Sequence, residues 1–375
     1  MKIAQVAPLY ESVPPHGYGG TERVVSYLTE QLVREGHEVT LFASGDSQTA
    51  ADLVPCSPRS LRLGKAVDTL AHHIVMLERV FQRADQFDLV HFHVDYLHFP
   101  LSRRIAFNQL TTLHGRLDLP DLPFLYDEFP DMPLVSISDS QRKPLPQANW
   151  IGTVYHGLPP ASFTLRETPE KYLLFLGRIS PEKRVDRAIE ISQRARRKLK
   201  ICAKIDRADR YYFNKHIKPL LDHPSVEFVG EVGHEKKNEL LGGAAALLFP
   251  IDWPEPFGLV MIEALACGTP VIAFPCGSVP EIIANGDTGF VVNDIEEAVE
   301  AVHRIQTIDR RRCRQEFEHR FTDQRMAQDY VRIYESRLAQ ARPASQLDSN
   351  WENLTVPTAP FVGNAKTASV APVAR

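Results

Sequence analysis

Asp252-Trp253-Pro254-Glu255-Pro256-Phe257-Gly258-Leu259-Val260-Met261-Ile262-Glu263-Ala264-Leu265-Ala266-Cys267-Gly268-Thr269-Pro270 is the stretch that decides the fold. An apolar run, 244–250, precedes it and reads as a buried strand. Another, 271–274, follows it. Between them the spacing predicts a proline-rich turn and a short helix over 258–267, stopped by Gly268. Strand, loop and helix together put free N–H groups and a positive helix end at the carboxyl edge of a parallel sheet, which is an anion site. Glu255 stands in the loop before the helix and Glu263 stands inside it. Two acids beside a phosphate-friendly helix start make sense if the ligand is a sugar nucleotide. The N–H groups and nearby cations would take the diphosphate, and the carboxylates would accept hydrogen bonds from sugar and ribose hydroxyls. The plainer reading makes both acids solvated residues near a helix start. Pro254, Pro256 and Gly258 argue against it, because they build a specific turn.

The rest of the chain sets the frame. Its 375 residues suggest two domains. With 43% hydrophobic residues it can bury sizeable cores, and a net charge of −4 points away from nucleic acid. The five cysteines, Cys56, Cys202, Cys267, Cys276 and Cys313, show no metal or redox spacing. They read as reduced thiols of a cytoplasmic protein. The N-terminus enters a strand directly, without a signal peptide's apolar core, and no run is long enough to span a membrane. Peripheral membrane contact stays open.

Taken in order, 3–8 is a strand, 9–20 a loop rich in Gly and Pro, 21–35 a helix with Val24, Val25, Leu28 and Leu32 on one face, and 38–43 a strand. The spacing Gly17-Tyr18-Gly19-Gly20 is not a dinucleotide fingerprint, and no acid ends the second strand. Helix 67–81 and strand 87–93 follow. His91 and His93 read as hydrogen-bonded core residues rather than metal ligands. Strand 109–113 ends at His114-Gly115, where α/β proteins bind ligands. Asp118 and Asp121 fall in a proline-punctuated loop. Strand 134–137 leads into a helix cap at Ser138-Asp139-Ser140, and 150–155 is the last strand of the first half.

The first domain is set at 1–157 and a linker at 158–169. A second βα series occupies 170–322. Its first strand, 172–176, runs into Gly177-Arg178-Ile179-Ser180-Pro181-Glu182-Lys183-Arg184. Cations at a helix start need an anion beside them, which argues for a diphosphate clamp. Strands 200–205, 226–229 and 244–249 follow, with Glu231 beyond the second. Helices are expected over 279–284 and 294–306. The basic run 304–320 reads as a solvated helical surface. The last helix, 323–341, is expected to cross back to the first domain, and 342–375 reads as a disordered tail.

These motifs carry a resemblance. The chain resembles the retaining glycosyltransferases of family 4, with the two-domain GT-B fold. The expected fold class is therefore α/β, two Rossmann-like domains whose parallel sheets face each other across a cleft. Glu255 to Glu263 fits that family's E-x₇-E motif, Gly177-Arg178 to Lys183 its G-R-x-x-x-x-K loop, Gly19-Gly20 its N-terminal glycine loop, and Thr112-Leu113-His114-Gly115 its strand-end histidine. The resemblance implies that Arg178 and Lys183 hold the diphosphate, Glu255 the transferred sugar and Glu263 the ribose. It places the N–H groups of Phe257, Gly258 and Leu259 at sugar or phosphate, His114 at the reacting sugar, and Glu231 and Val232 beside the base. It implies retention of configuration, with the leaving phosphate taking the acceptor's proton. It implies no cofactor and no essential metal; UDP-glucose is the prior for the donor. Tyr155-His156-Gly157 departs from the family, where an asparagine often precedes the glycine. The acceptor is not readable: a small molecule, glycan or lipid all fit. Tyr18, Phe124 and Tyr126 are candidates to stack on it. The alternatives are another GT-B sugar-nucleotide enzyme, an epimerase or phosphorylase, and a dinucleotide-binding protein.

Overall fold

The computed structural model describes residues 1–17 and 19–340. The tail expected over 342–375, and Tyr18, lie outside the described residues. Two parallel sheets carry the chain. The first is built from β1 (Lys2–Val6), β2 (Glu38–Ser44), β3 (Asp52–Ser57), β4 (Leu89–Phe92), β5 (Gln109–Thr112), β6 (Leu134–Ser136) and β7 (Trp150–Thr153). Their spatial order is β3-β2-β1-β4-β5-β6-β7. The second holds β8 (Tyr172–Arg178), β9 (Lys198–Lys204), β10 (Val226–Phe228), β11 (Ala246–Phe249), β12 (Val271–Ala273) and β13 (Gly289–Val291), in the order β10-β9-β8-β11-β12-β13. Each sheet reverses its winding once, between β1 and β4 and between β8 and β11. Such reversals open a crevice at the carboxyl ends of the strands.

Burial explains why the inner strands are continuous apolar runs. Leu89, Val90 and Phe92 of β4 and Ala246, Leu247 and Leu248 of β11 are almost fully buried, as strands covered by helices on both faces must be. Two strands had no expectation in the sequence, β3 and β13. Pro55 sits within β3, an edge strand where a missing N–H is tolerated. β13 has only three residues and begins at Gly289. The region expected as loop after His114 instead contains a short helix, Leu122–Glu128.

The basic run 304–320 is corrected. It is helical over Arg310–Arg320, but Arg310 is buried and not solvated. Its guanidinium donates to the carbonyls of Arg166 (2.6 Å), Gly242 (2.7 Å) and Ala244 (2.9 Å) and to Thr269 Oγ1 (2.8 Å). Arg314 likewise donates to the carbonyls of Ala266 (2.7 Å) and Phe163 (2.9 Å). The carbonyls of Gly242, Ala244 and Ala266 lie at the ends of the helices His234–Gly243 and Leu259–Ala266, where they have no partner inside their own helix; those of Phe163 and Arg166 belong to the segment between the two sheets.

The final helix, Asp323–Gln340, leaves the second sheet's neighbourhood and packs on the first. Met326, Ala327, Tyr330 and Tyr334 are buried there with Ile3, Val24, Leu28 and Leu110. Asp323 pairs with Arg34 at 2.7 Å. The return passes close to the chain segment leaving β7. A Cβ on Gly157 would lie 2.1 Å from the carbonyl oxygen of Thr322, so only glycine fits there. Further ties join the halves: Ser138 Oγ donates to Pro256 O (2.6 Å), and the Glu281 carboxylate accepts from the N–H groups of Asp139 (2.8 Å) and Ser140 (2.7 Å).

Candidate active site

A cleft of about 880 Å³ lies where the two sets of strand ends face each other, and every residue singled out above for the donor site lines it. Glu255 and Lys183 are its centre. β11 ends at Phe249 and the loop swings through Trp253 to Glu255. β8 ends at Arg178 and the chain turns through Pro181–Lys183. Asp252 ties the two loops: its N–H donates to Glu182 O at 2.8 Å and its carboxylate accepts from Arg184 (2.8 Å) and Arg187 (3.0 Å). Lys183 Nζ therefore meets the Glu255 carboxylate directly, and Trp253 Nε1 donates to the same oxygen at 3.0 Å. Lys183 also sits 4.7 Å from the centre of the Trp253 ring, a cation–π contact.

The anion expected beside the two cations is thus present within the protein. Arg178 donates to Glu182 at 2.6 Å and lies 3.7 and 3.6 Å from carboxylate oxygens of Asp206 and Asp209. Glu263, on the helix Leu259–Ala266, is nearly buried and bonded to Lys237 Nζ. Gly258 holds the turn before that helix at φ +80°, a backbone conformation that glycine adopts without strain. The helix begins one residue later than expected, at Leu259. The ring of Phe257 is buried and packs on His156 at 4.8 Å. Only its main chain is left for a ligand.

On the opposite wall His114 Nε2 lies 2.9 Å from His93 Nδ1. Its ring stacks on His156, 5.3 Å between centres at 18°. His114 Nδ1 is sealed from solvent with no protein partner. Burial pushes the imidazole down to about 3, so it is neutral at pH 7. Ser138 and Gln141 hold the loop in place: Gln141 Nε2 donates to the carbonyls of Leu113 (2.9 Å) and Gly115 (2.8 Å). Gly19 and Gly20 begin the helix Gly20–Arg34, and Gly17 approaches Glu231 across the cleft.

No site role follows from the sequence for Trp253, Lys237, Arg116 or His156, the last being named only for its place before Gly157. Trp253 stood inside the quoted stretch, but its indole N–H bond to Glu255 has no sequence signature. Arg116 lies 5.8 Å from the Trp253 ring, bridging the two walls. Of the stacking candidates, Tyr126 is buried and packs inside the first domain, whereas Phe124 is exposed. Asp118 pairs with Arg116 at 2.7 Å. Among the described residues no cluster of His, Cys, Asp or Glu could hold a metal ion.

Fixed cations, a helix start and carboxylates at the junction of two doubly wound sheets suit a ligand that is anionic at one end and rich in hydroxyls at the other. Comparison with known proteins agrees. The model of Glycosyltransferase Family 4 matches residues 18–209, and that of Glycosyl transferases group 1 matches residues 162–322. The chain is 25% identical to the N-acetyl-alpha-D-glucosaminyl L-malate synthase of Bacillus anthracis, over 89% of this chain and 97% of that protein. It is also 25% identical to a glycosyltransferase of Methanocaldococcus jannaschii, over 78% and 85%. Among solved structures, a glycosyltransferase of avilamycin A biosynthesis superposes with a TM-score of 0.70 and 25% identity, over 91% of this chain and 99% of that one. A sucrose-phosphate synthase from Thermosynechococcus elongatus gives 0.73 at 20% identity, over 91% and 100%, and shares the fold. The chain belongs to glycosyltransferase family 4 and is a GT-B glycosyltransferase that uses a sugar-nucleotide donor.

Proposed function

We propose that the chain is a retaining hexosyltransferase with a uridine-diphosphate donor, UDP-glucose as the first candidate. The observation that carries this reading is the Lys183–Glu255 pair, facing a neutral His114 across the cleft. A neighbour of the same fold, Anabaena HepE, has been solved in complex with UDP-glucose, which supports a uridine donor. On donor binding Lys183 and Arg178 turn to the diphosphate. Glu255, relieved of its cation, accepts from hydroxyls of the transferred sugar, and Glu263 accepts from the ribose. Glu231 and Val232 border the base.

The chemistry then follows from charge. The bond from the anomeric carbon to the phosphate oxygen breaks, and negative charge grows on the phosphate. Lys183, Arg178 and the helix start at Leu259 stabilise that charge. The acceptor oxygen bonds to the anomeric carbon on the same face, and its proton passes to the leaving phosphate. No residue is needed as a glycosidase-type nucleophile. The reading assigns no step to a metal or cofactor, so turnover persists in excess EDTA. It places the enzyme in the cytoplasm, in keeping with five free cysteines. The acceptor is a small molecule, glycan or lipid. No helix among the described residues is long and apolar enough to cross a membrane.

Thermal stabilisation and donor hydrolysis across UDP-, GDP- and ADP-sugars test the proposal. UDP-glucose is expected to raise the melting temperature, and Glu263→Ala and Arg178→Ala to abolish the rise. No response to any sugar nucleotide would overturn it. Once an acceptor is found, a product of inverted anomeric configuration would overturn the retaining mechanism alone.

A further inference from the structure

His114 does not stand alone. Behind it runs a buried chain of hydrogen bonds through the first domain. His93 Nδ1 faces His114 Nε2 at 2.9 Å, and His93 Nε2 faces Gln5 Oε1 at 2.8 Å. Gln5 Nε2 donates to Tyr334 OH at 3.3 Å. Tyr334 OH lies 2.7 Å from His91 Nδ1, and His91 Nε2 lies 2.7 Å from Thr112 Oγ1. Gln5, His91, His93, Thr112 and Tyr334 are all within 2% of full burial, so no water completes these bonds by chance.

Such a chain has a direction. A neutral imidazole has one N–H and one bare nitrogen. The Gln5 carbonyl oxygen can only accept, so His93 carries its proton on Nε2 and presents Nδ1 bare. The bare Nδ1 of His93 accepts from His114, which fixes the His114 proton on Nε2. His114 Nδ1 is then a bare acceptor, and it is the atom that is sealed at the cleft without a protein partner. At the other end, Gln5 Nε2 satisfies the Tyr334 oxygen, the Tyr334 proton goes to His91 Nδ1, and His91 Nε2–H goes to Thr112. Each ring N–H and the Tyr334 hydroxyl then has one acceptor, and the Thr112 hydroxyl is left to pair with Tyr330 OH at 2.9 Å. Neutral rings are essential to this logic. Burial keeps His91, His93 and His114 far below the usual histidine range, with neighbouring imidazoles adding to the effect for His91 and His93. A reversed Gln5 amide would reverse the whole chain. His114 Nδ1 would then be a sealed N–H without an acceptor, and a buried donor left unpaired is rarer than a buried acceptor left unpaired.

We propose that Gln5 and His93 are positioning residues that fix the tautomer of His114, so that its Nδ1 accepts a hydrogen bond from a hydroxyl of the transferred sugar. The inference rests on the placement of His114 at the reacting sugar under the proposed function. It assigns a role in the active site to Gln5, more than a hundred residues away along the chain, and through Gln5 to Tyr334 on the C-terminal helix.

Nitrogen-15 correlation spectra of the histidine rings test it on the full chain without any turnover, with signals assigned by their loss in His114→Asn and His93→Asn. The expected result at pH 7 is a pyridine-type Nδ1 and a pyrrole-type Nε2 for both His93 and His114. A pyrrole-type Nδ1 on His114 would overturn the proposal. Kinetics give the second arm. Gln5→Met keeps the side chain's length but removes the acceptor; it is expected to lower kcat by about tenfold, which corresponds to about 1.4 kcal/mol, and to leave the donor KM within about threefold. Wild-type kcat in Gln5→Met overturns the positioning role. If the wild-type protein turns over no sugar nucleotide, the functional reading fails, and the ring spectra still decide the tautomer.

Discussion

Arg310 and Lys183 show how differently a charged side chain can be used in one fold. Arg310 is buried, its guanidinium pushed down to about 10 by desolvation, and it serves main-chain carbonyls rather than a carboxylate. Arg310→Lys is expected to destabilise the chain by about 3 kcal/mol, because an ammonium cannot span four acceptors set in a fork and strands several of them. Urea unfolding checks this; an unchanged midpoint would refute it. Lys183 answers to Glu255, whose side chain is only 11% exposed. Lys183→Met is expected to leave the fold intact, abolish protection by UDP-glucose and lower kcat/KM by at least about a hundredfold, as loss of a charge-stabilising group does. Donor titration by melting temperature reads the first effect, and initial rates read the second. Glu255, Glu263, Arg178 and Lys183 were legible in the sequence because each sits in a short contiguous motif. Lys237 was not, because its tie to Glu263 spans 26 residues and exists only once the helix His234–Gly243 packs beside Leu259–Ala266. His93 was read as a core residue, and it is one, but its bond to His114 requires β4 and β5 to be neighbours.

Elements were legible where period and burial agreed. The helix Gly20–Arg34 shows Val24, Val25, Leu28 and Leu32 on one buried face, and the inner strands are unbroken apolar runs. They failed where tertiary contact decides. The helix Arg310–Arg320 has too many charges to suggest burial, yet it buries Arg310, whose guanidinium meets carbonyls at the end of the helix His234–Gly243, along with Cys313, Glu316 and Phe317. Glu281 is a similar case at the junction of the two halves. Its carboxylate closes the start of the short helix Asp139–Arg142 and accepts from Tyr155 OH at 3.1 Å. An acid there acts as an N-terminal cap supplied from the other domain. Glu281→Ala is expected to cost about 1–2 kcal/mol by the same logic as loss of a helix cap. In calorimetry it should split a single unfolding transition into two, the cap being one of the ties that make the halves melt together. A single transition at the wild-type temperature would show that the cap carries no coupling.

The whole molecule carries an acid sensitivity in its first domain. His91, His93, His98 and His156 are buried, and burial pushes each of them down. His98, held at about 3, does not line the cleft: it bonds Ser102 and Thr111 and stacks on Phe92 at 3.7 Å. Unfolded, each of these histidines takes up a proton near its ordinary value of 6.5; folded, each refuses it. Between pH 6.5 and about 3 the unfolded chain therefore binds more protons, and stability must fall as pH falls through that window. Each such histidine contributes up to about 1.4 kcal/mol per pH unit once its unfolded form is charged. Urea midpoints are therefore expected to be flat from pH 8 to 7 and to drop steeply from 6.5 to 5. His98→Gln keeps a neutral donor and acceptor at that position and should reduce the slope by about one proton, with turnover at pH 7.5 preserved because His98 takes no part in the cleft. A midpoint independent of pH down to 5 would mean that these rings accept protons in the folded state. The consequence reaches the C-terminal helix: His91 is bonded to Tyr334, so protonation that breaks this bond also loosens the segment that ties the second half of the chain back to the first.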